Sequence, residues 1–257
     1  MIDSHCHLDL LAQQKDLQQV LSDAKQQGVE KIIVPAINES NWAAVQILSE
    51  QNEDIYYALG FHPQFLDGLS EHSLDNLASR VVSSVPEKCV AIGECGLDFY
   101  HGRENETLQK QYLNAQIDIA NQSQLPILLH CRKAHQDLVA LLKRNPPKYS
   151  GVVHGFSGSV QQAMDFIKLG LKIGVGGVIT YPRAKKTRAT IAAIPLESLL
   201  IETDAPDMPL SGYQGLPNEP KMVNMVLTSL IELRNESGQT VASQLSNNGK
   251  LTFRFCD

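Results

Sequence analysis

Short apolar runs alternate with longer amphipathic stretches along the whole chain. The runs are Ile2, then 31–35 (KIIVP), 55–59 (IYYAL), 89–92 (CVAI), 126–129 (PILL), 151–153 (GVV), 171–178 (LKIGVGGV) and 198–201 (SLLI). Their length, β-branched content and flanking Gly or Pro predict strands. The stretches between them have helical spacing. Within 104–124, Leu108, Tyr112, Ala115 and Ile119 recur at steps of four, three and four, which predicts a buried face with Gln, Asn and Lys opposite. Val223, Val226, Leu227, Leu230 and Leu233 repeat the pattern, with Asn218 ahead of Glu219-Pro220 as the expected cap. Gly28, Gly170 and Pro195 read as helix ends.

Eight strands, each followed by a helix, predict an α/β protein built as a single TIM-type (β/α)8 barrel, one domain over 1–257. The length allows about 32 residues per unit, a comfortable βα repeat. An open doubly wound sheet permits the same alternation, but no strand is followed by a Gly-x-Gly-x-x-Gly turn. No linker or change in composition marks a second domain.

Composition narrows the function. Acidic residues outnumber basic ones, 28 to 22, for a formal charge of −6, which excludes a broadly basic nucleic-acid scaffold. With 43% hydrophobic and 19% charged residues the chain can bury a core. No apolar stretch approaches the roughly 18 residues of a membrane span, and Met1-Ile2-Asp3 opens without a signal segment. Five cysteines without regular spacing make no disulfide framework. The expectation is a cytoplasmic protein.

In a barrel of this type, chemistry sits at the C-terminal ends of the strands. His5 and His7 follow the first run, His62 the third, Glu94 the fourth, His130 the fifth, His154 the sixth and Asp204 the eighth. Side chains two apart in extended chain point the same way, so His5 and His7 can meet one ion while Cys6 faces elsewhere. Imidazole with carboxylate suits zinc, manganese, iron or cobalt, and an all-oxygen set would suit magnesium. His5, His7, His130, His154, Glu94 and Asp204 exceed the usual three protein ligands of one open zinc site. Two divalent ions sharing a carboxylate would use them all, which predicts hydrolysis by a metal-activated water.

Six ordered blocks carry a family resemblance: Asp3-Ser4-His5-Cys6-His7, Gly60-Phe61-His62-Pro63, Gly93-Glu94-Cys95-Gly96-Leu97-Asp98, Leu129-His130-Cys131-Arg132, His154-Gly155-Phe156-Ser157-Gly158 and Glu202-Thr203-Asp204-Ala205-Pro206. They resemble the motifs of the TatD family, metal-dependent hydrolases of the amidohydrolase superfamily commonly described as deoxyribonucleases. The resemblance implies a barrel holding two divalent ions (zinc, manganese or magnesium). His5, His7, Glu94 and Asp204 would hold the first, and Glu94, His130 and His154 the second, with Glu94 bridging. Two departures stand out. Gln64 occupies a place where family members often carry a second His, and Pro182-Arg183 replaces a Lys-containing pair after the aromatic Tyr181.

The resemblance and the two-ion logic point to a phosphodiesterase, a deoxyribonuclease working from an end, with DNA or another phosphodiester as partner. The chain is expected to act as a monomer with no obligate protein partner. An amidohydrolase or esterase for a small metabolite is the alternative, since the same site attacks carbonyl carbon. Asp204 and Glu94 are the expected catalytic pair, Asp204 also accepting a proton as general base. His62, Arg132, Ser157, Tyr181 and Arg183 are candidate substrate contacts, and Arg132 reads equally well as an ion-pair partner. The basic stretch 183–188 is either a steering patch or a solvated helix face. His72, His101 and His135 read as surface residues, Cys6 and Cys131 as small core residues, and 205–218 as a substrate-facing loop.

Overall fold

The computed structural model describes residues 1–84 and 88–255. Eight parallel strands pair in sequence order: β1 (Ile2–Asp3), β2 (Lys31–Pro35), β3 (Ile55–Leu59), β4 (Cys89–Asp98), β5 (Ile127–Arg132), β6 (Gly151–Val153), β7 (Lys172–Val175) and β8 (Leu199–Ile201). The helices between and after them are α1 (Leu8–Leu11), α2 (Leu17–Gln26), α3 (Trp42–Gln51), α4 (Ser73–Val82) and α5 (Glu106–Gln122). They continue with α6 (His135–Arg144), α7 (Val160–Ile167), α8 (Lys185–Ala193), α9 (Val223–Leu233) and α10 (Gly238–Phe253). The architecture is a TIM-type (β/α)8 barrel. Among the described residues, no helix is long and apolar enough to cross a membrane.

Alternation along the strands builds two apolar layers. Ile2, Ile33, Ala58, Val90, Leu128, Val152 and Leu200 point into the barrel, where Phe253 of α10 closes the lower end. Their sequence neighbours Ile32, Val34, Ile127, Leu129 and Leu199, together with Ile173 of β7, point outward against helix residues such as Leu113, Ile117, Val226 and Leu230. Burying one such side chain contributes about 1.5–3 kcal/mol, so the outer layer carries most of the stability.

The seam between β8 and β1 is closed by single hydrogen bonds. Ser4 N donates to Ile201 O (3.0 Å) and Asp204 N to His5 O (2.8 Å). The buried Asp3 carboxylate accepts from Thr203 N (3.0 Å) and Thr203 Oγ1 (2.6 Å).

Four expectations need correction. β4 and β5 outrun their apolar stretches, because their ladder continues through Gly96 opposite His130 and Asp98 opposite Arg132. Glu94 and His130 therefore lie inside strands. β7 stops at Val175, and 177–180 turns into a 3-10 helix, with Gly177 so close to Met208 that a Cβ would lie 2.7 Å from its carbonyl oxygen. The buried face of α5 centres on Gln109, Leu113, Gln116, Ile117 and Ala120, and Leu108, Tyr112 and Ala115 flank it. Asn218 is not a helix cap: its Nδ2 donates to Thr203 O (2.8 Å) and Met208 O (3.2 Å), stapling the loop after β8.

Candidate metal centre

Backbone hydrogen bonds aim the first two imidazoles. Cys6 N donates to Ile33 O and His7 N to Ala205 O, so Cys6 turns into the outer core while His5 and His7 face the barrel mouth. Both converge on Glu94, whose two oxygens divide the site. Oε2 lies 3.1 Å from His5 Nε2 and 3.3 Å from His7 Nε2. Oε1 lies 2.7 Å from His154 Nε2, 2.9 Å from His130 Nδ1 and 3.3 Å from His62 Nε2. Asp204 Oδ1 closes the Oε2 side, 3.5 Å from His5 Nε2 and 3.7 Å from His7 Nε2. Three overlapping sets, His5–His7–Asp204, His5–Glu94–His154 and His62–Glu94–His130, each bring their donor atoms within 4.8 Å of one another. All six residues expected to bind metal meet here, and His62 joins them.

The donor set fits divalent cations. His5 Nε2 faces His7 Nε2 at 3.3 Å, and His130 Nδ1 faces His154 Nε2 at 3.2 Å. Two imidazole nitrogens in such contact need a proton or a cation between them. The other ring nitrogens of His5, His7 and His154 are buried without a partner. Nitrogen and carboxylate donors together suit borderline ions better than an all-oxygen cage would.

Burial and neighbouring charge act on these groups in opposite directions. Burial and the like charge of His154 hold His5 down to about 3. At His7 burial opposes protonation, but the hydrogen bond and charge of Glu94 outweigh it and lift the group to about 9. At His154 burial likewise loses to Glu94 and Asp204, which lift it to about 10. Burial also works against ionised Glu94, yet the imidazoles of His154, His62 and His5 keep it well below the usual carboxylate range. Asp204 is raised by burial, with His154 and His7 pulling the other way.

Surrounding residues hold the donors in place. The carboxylate of Asp98, at the end of β4, accepts from His130 Nε2 at 3.0 Å. Gln109 grips the Asp98 backbone from α5, its Oε1 accepting from Asp98 N (2.8 Å) and its Nε2 donating to Asp98 O (3.0 Å). Two turns along, Gln116 grips Phe61 in the same way, at 2.7 and 3.2 Å, beside His62. Gly96 allows β4 to approach β5, since a Cβ there would sit 2.0 Å from His130 O. Glu202, fully buried and pushed up to about 8 by burial, accepts from Gly155 N in the turn that follows His154.

The donors open into a cleft of about 1070 Å³. Arg132 and Ser157 line it, Arg132 stacked 3.7 Å from the Tyr100 ring and Ser157 Oγ 3.3 Å from Thr187 Oγ1. Tyr181 and Arg183 are not part of its lining: the Tyr181 hydroxyl donates to Pro209 O (2.6 Å), and Arg183 packs over the Tyr181 ring. Lys186 is the residue of 183–188 that reaches the cleft, while Arg188 is turned onto Ile179 O. From the loop after β8, Asp207 and Met208 line the cleft, whereas Leu210 is core. His135 is not a surface residue; it is partly buried against Phe166 and also lines the cleft, as does Cys131. Asp98, Gln109 and Gln116 went unassigned in the sequence reading. The one available signal was that Glu94 and Asp98, four apart in extended chain, share a face.

Comparison with known proteins gives the family. The family model described as TatD related DNase matches residues 2–254. The metal-dependent hydrolase YjjV of Escherichia coli K12 is 48% identical over 247 residues, covering 96% of this chain and 95% of that protein. A protein of Pantoea sp. named 3'-5' ssDNA/RNA exonuclease TatD is 33% identical, with 94% of each chain covered. The crystal structure of the E. coli K12 TatD homologue YjjV superposes with a TM-score of 0.96 at 47% identity, covering 100% of this chain and 98% of that one.

Proposed function

The chain belongs to the TatD related DNase family of metal-dependent hydrolases, and on that premise we propose that it is a phosphodiesterase that trims DNA from an end. The observation that carries this reading is the wall of the cleft. Arg103, Arg132, Lys133 and Lys186 surround the donor cluster, and among the described residues only Arg103 of the four is ion-paired, to Glu106 and Asp137. A cationic rim around a metal-binding floor suits a chain of phosphates. The exonuclease name of the Pantoea relative supports the same substrate class.

In this reading His5, His7 and Asp204 would hold one divalent ion and His130 and His154 a second, with Glu94 available to both. Bound divalent ions supply Lewis-acid stabilisation to the scissile phosphoryl group. Arg132 and Lys186 bind backbone phosphates, and the Ser157 hydroxyl donates to a phosphate oxygen. Asp204 accepts the proton of the attacking water. All the donors come from one chain within one barrel, so the site needs no residue from a second copy, and we propose that the unit works as a monomer.

A small-molecule amidohydrolase or esterase is the competing reading, and Asp207 on the cleft wall favours it, because a polyanion meets like charge there. End-labelled single-stranded DNA, incubated with protein loaded with magnesium, manganese, cobalt or zinc, separates the two. Progressive shortening from one end supports the nuclease. Intact DNA with all four ions, alongside hydrolysis of amide or carboxylic ester substrates, overturns it.

A further inference from the structure

Five imidazoles converge on Glu94, but only two of them have partners behind the ring. The rear nitrogens of His5, His7 and His154 are buried and have no hydrogen-bond partner among the described residues. Those of His62 and His130 are both engaged, the first by Gln64 and the second by Asp98, which Gln64 in turn binds.

The backbone N–H of Gln64 donates to His62 Nδ1 at 3.1 Å. A peptide N–H can only donate, so Nδ1 must present its lone pair, and the single proton of the neutral ring sits on Nε2. That N–H points at Glu94 Oε1 (3.3 Å) and His130 Nδ1 (3.2 Å). His130 has the reverse arrangement. Its rear Nε2 meets Asp98 Oδ2 at 3.0 Å, and an ionised carboxylate can only accept, so the proton is on the rear atom and the lone pair of Nδ1 faces inward. Asp98 is held for this task by the Gln64 side chain, whose Nε2 donates to Oδ2 at 2.7 Å, and by Tyr100 N on Oδ1 at 2.8 Å. The inward lone pair of His130 also faces Glu94 Oε1 at 2.9 Å, a contact between two acceptors that a cation would satisfy.

We propose that Gln64 is a positioning residue that turns the shared Nε2–H tautomer of these two rings in opposite directions, proton inward on His62 and outward on His130, making His130 a cation ligand and His62 a hydrogen-bond donor. Proximity alone groups His62 with Glu94 and His130 as a possible metal triad. With its proton inward, His62 cannot coordinate; it is placed to donate to an anionic oxygen of the substrate. The inference rests on the metal reading of the site and is independent of whether that substrate is a phosphodiester. His62 cannot easily swing away, since His62 N donates to Ile37 O (2.8 Å) and the preceding Phe61 is gripped by Gln116.

The test uses the full chain labelled with 15N-histidine and loaded with zinc, which is diamagnetic. Long-range 1H–15N spectra, assigned by comparison with His62→Gln and His130→Gln, report the proton on each ring. The expected result is Nε2–H on both, with His62 Nδ1 free of zinc and His130 Nδ1 bound to it. A His62 ring protonated at Nδ1 with zinc on Nε2 overturns the proposal. Zinc titration gives a second reading. His62→Gln is expected to keep wild-type zinc content with affinity within about threefold, whereas His130→Gln and Asp98→Ala lose about 10–100-fold. Equal loss of zinc from His62→Gln and His130→Gln overturns the donor role. Unchanged zinc affinity in Asp98→Ala overturns the relay through Asp98. Each of these outcomes is read without any substrate, so failure of the nuclease reading leaves it intact.

Discussion

The carboxylate of Glu202 occupies the space a side chain at position 174 would need: a Cβ on Gly174 would lie 2.3 Å from Glu202 Oε2. Seven strands send an apolar side chain into the barrel, and the position on β7 that would do the same is left to this buried acid. Gly174→Ala is therefore expected to displace Glu202 and leave Gly155 N without its acceptor, behind His154. The cost is about 1–3 kcal/mol, from overpacking and a lost buried hydrogen bond. Urea unfolding measures it, and a midpoint unchanged from wild type contradicts the clash.

Asp204→Asn keeps the size of the side chain and one oxygen donor but removes its basicity. Turnover on the best substrate is expected to fall by about 10²–10⁴-fold while zinc affinity changes much less. Parallel loss of both by the same factor would assign Asp204 to coordination alone.

Cation uptake is expected to release protons. His7 and His154, lifted to about 9 and about 10, hold protons at neutral pH that a metal ion must displace. Zinc affinity therefore climbs as pH rises towards 9 to 10, and a weakly buffered indicator solution acidifies when zinc is added at pH 7. A pH-independent affinity between 6 and 9 contradicts this.

The same shifts set the stability of chelator-treated protein. Raised imidazole values favour the folded chain fully below pH 6.5, a benefit lost as pH climbs through 9 to 10. Burial raises Glu202 to about 8 and, against the hydrogen bonds from Thr203, Asp3 to about 7, so their folded forms keep protons that the unfolded chain has released. Both effects have one sign: the melting temperature without metal falls as pH rises from 6.5 to 10. With zinc bound at His7 and His154, the imidazole part of that fall disappears.

Gln116→Leu keeps the volume of the side chain but leaves Phe61 N–H and C=O unpaired within the α5 interface. Two unsatisfied buried backbone groups cost about 2–4 kcal/mol. Thermal and urea unfolding check this, with zinc binding as a readout of how far the segment carrying His62 has moved.

The barrel and its donors were legible because both obey simple periodicities. Apolar runs recur once per unit, and His5, His7, His154 and Asp204 follow closely where runs stop. Glu94 and His130 obeyed the rule only approximately, since backbone pairing carries β4 and β5 past their apolar residues. The supporting residues were hidden for a physical reason. Polarity patterns place glutamine on the wet face of a helix, yet Gln109 and Gln116 are buried because their amides satisfy peptide groups. Asn218 was misread likewise, its amide serving two distant carbonyls instead of the nearest helix. Tyr181 was placed by its position near a predicted strand end and Arg183 by likeness to a motif, and the 3-10 turn at 177–180 separates β7 from both, neither of which lines the cleft.

The hydrogen bonds between Asp3 and Thr203 join residues 200 positions apart, and His5 and Asp204 stand beside that joint. On the ribosome, a nascent chain that has passed Glu94, His130 and His154 still lacks the strand that closes the barrel and the acid that completes the cluster. Assembly of the reactive centre is therefore a late event governed by long-range closure. Until Asp3 meets Thr203, nothing holds His5 beside Asp204, so the donor cluster is completed together with the closed fold.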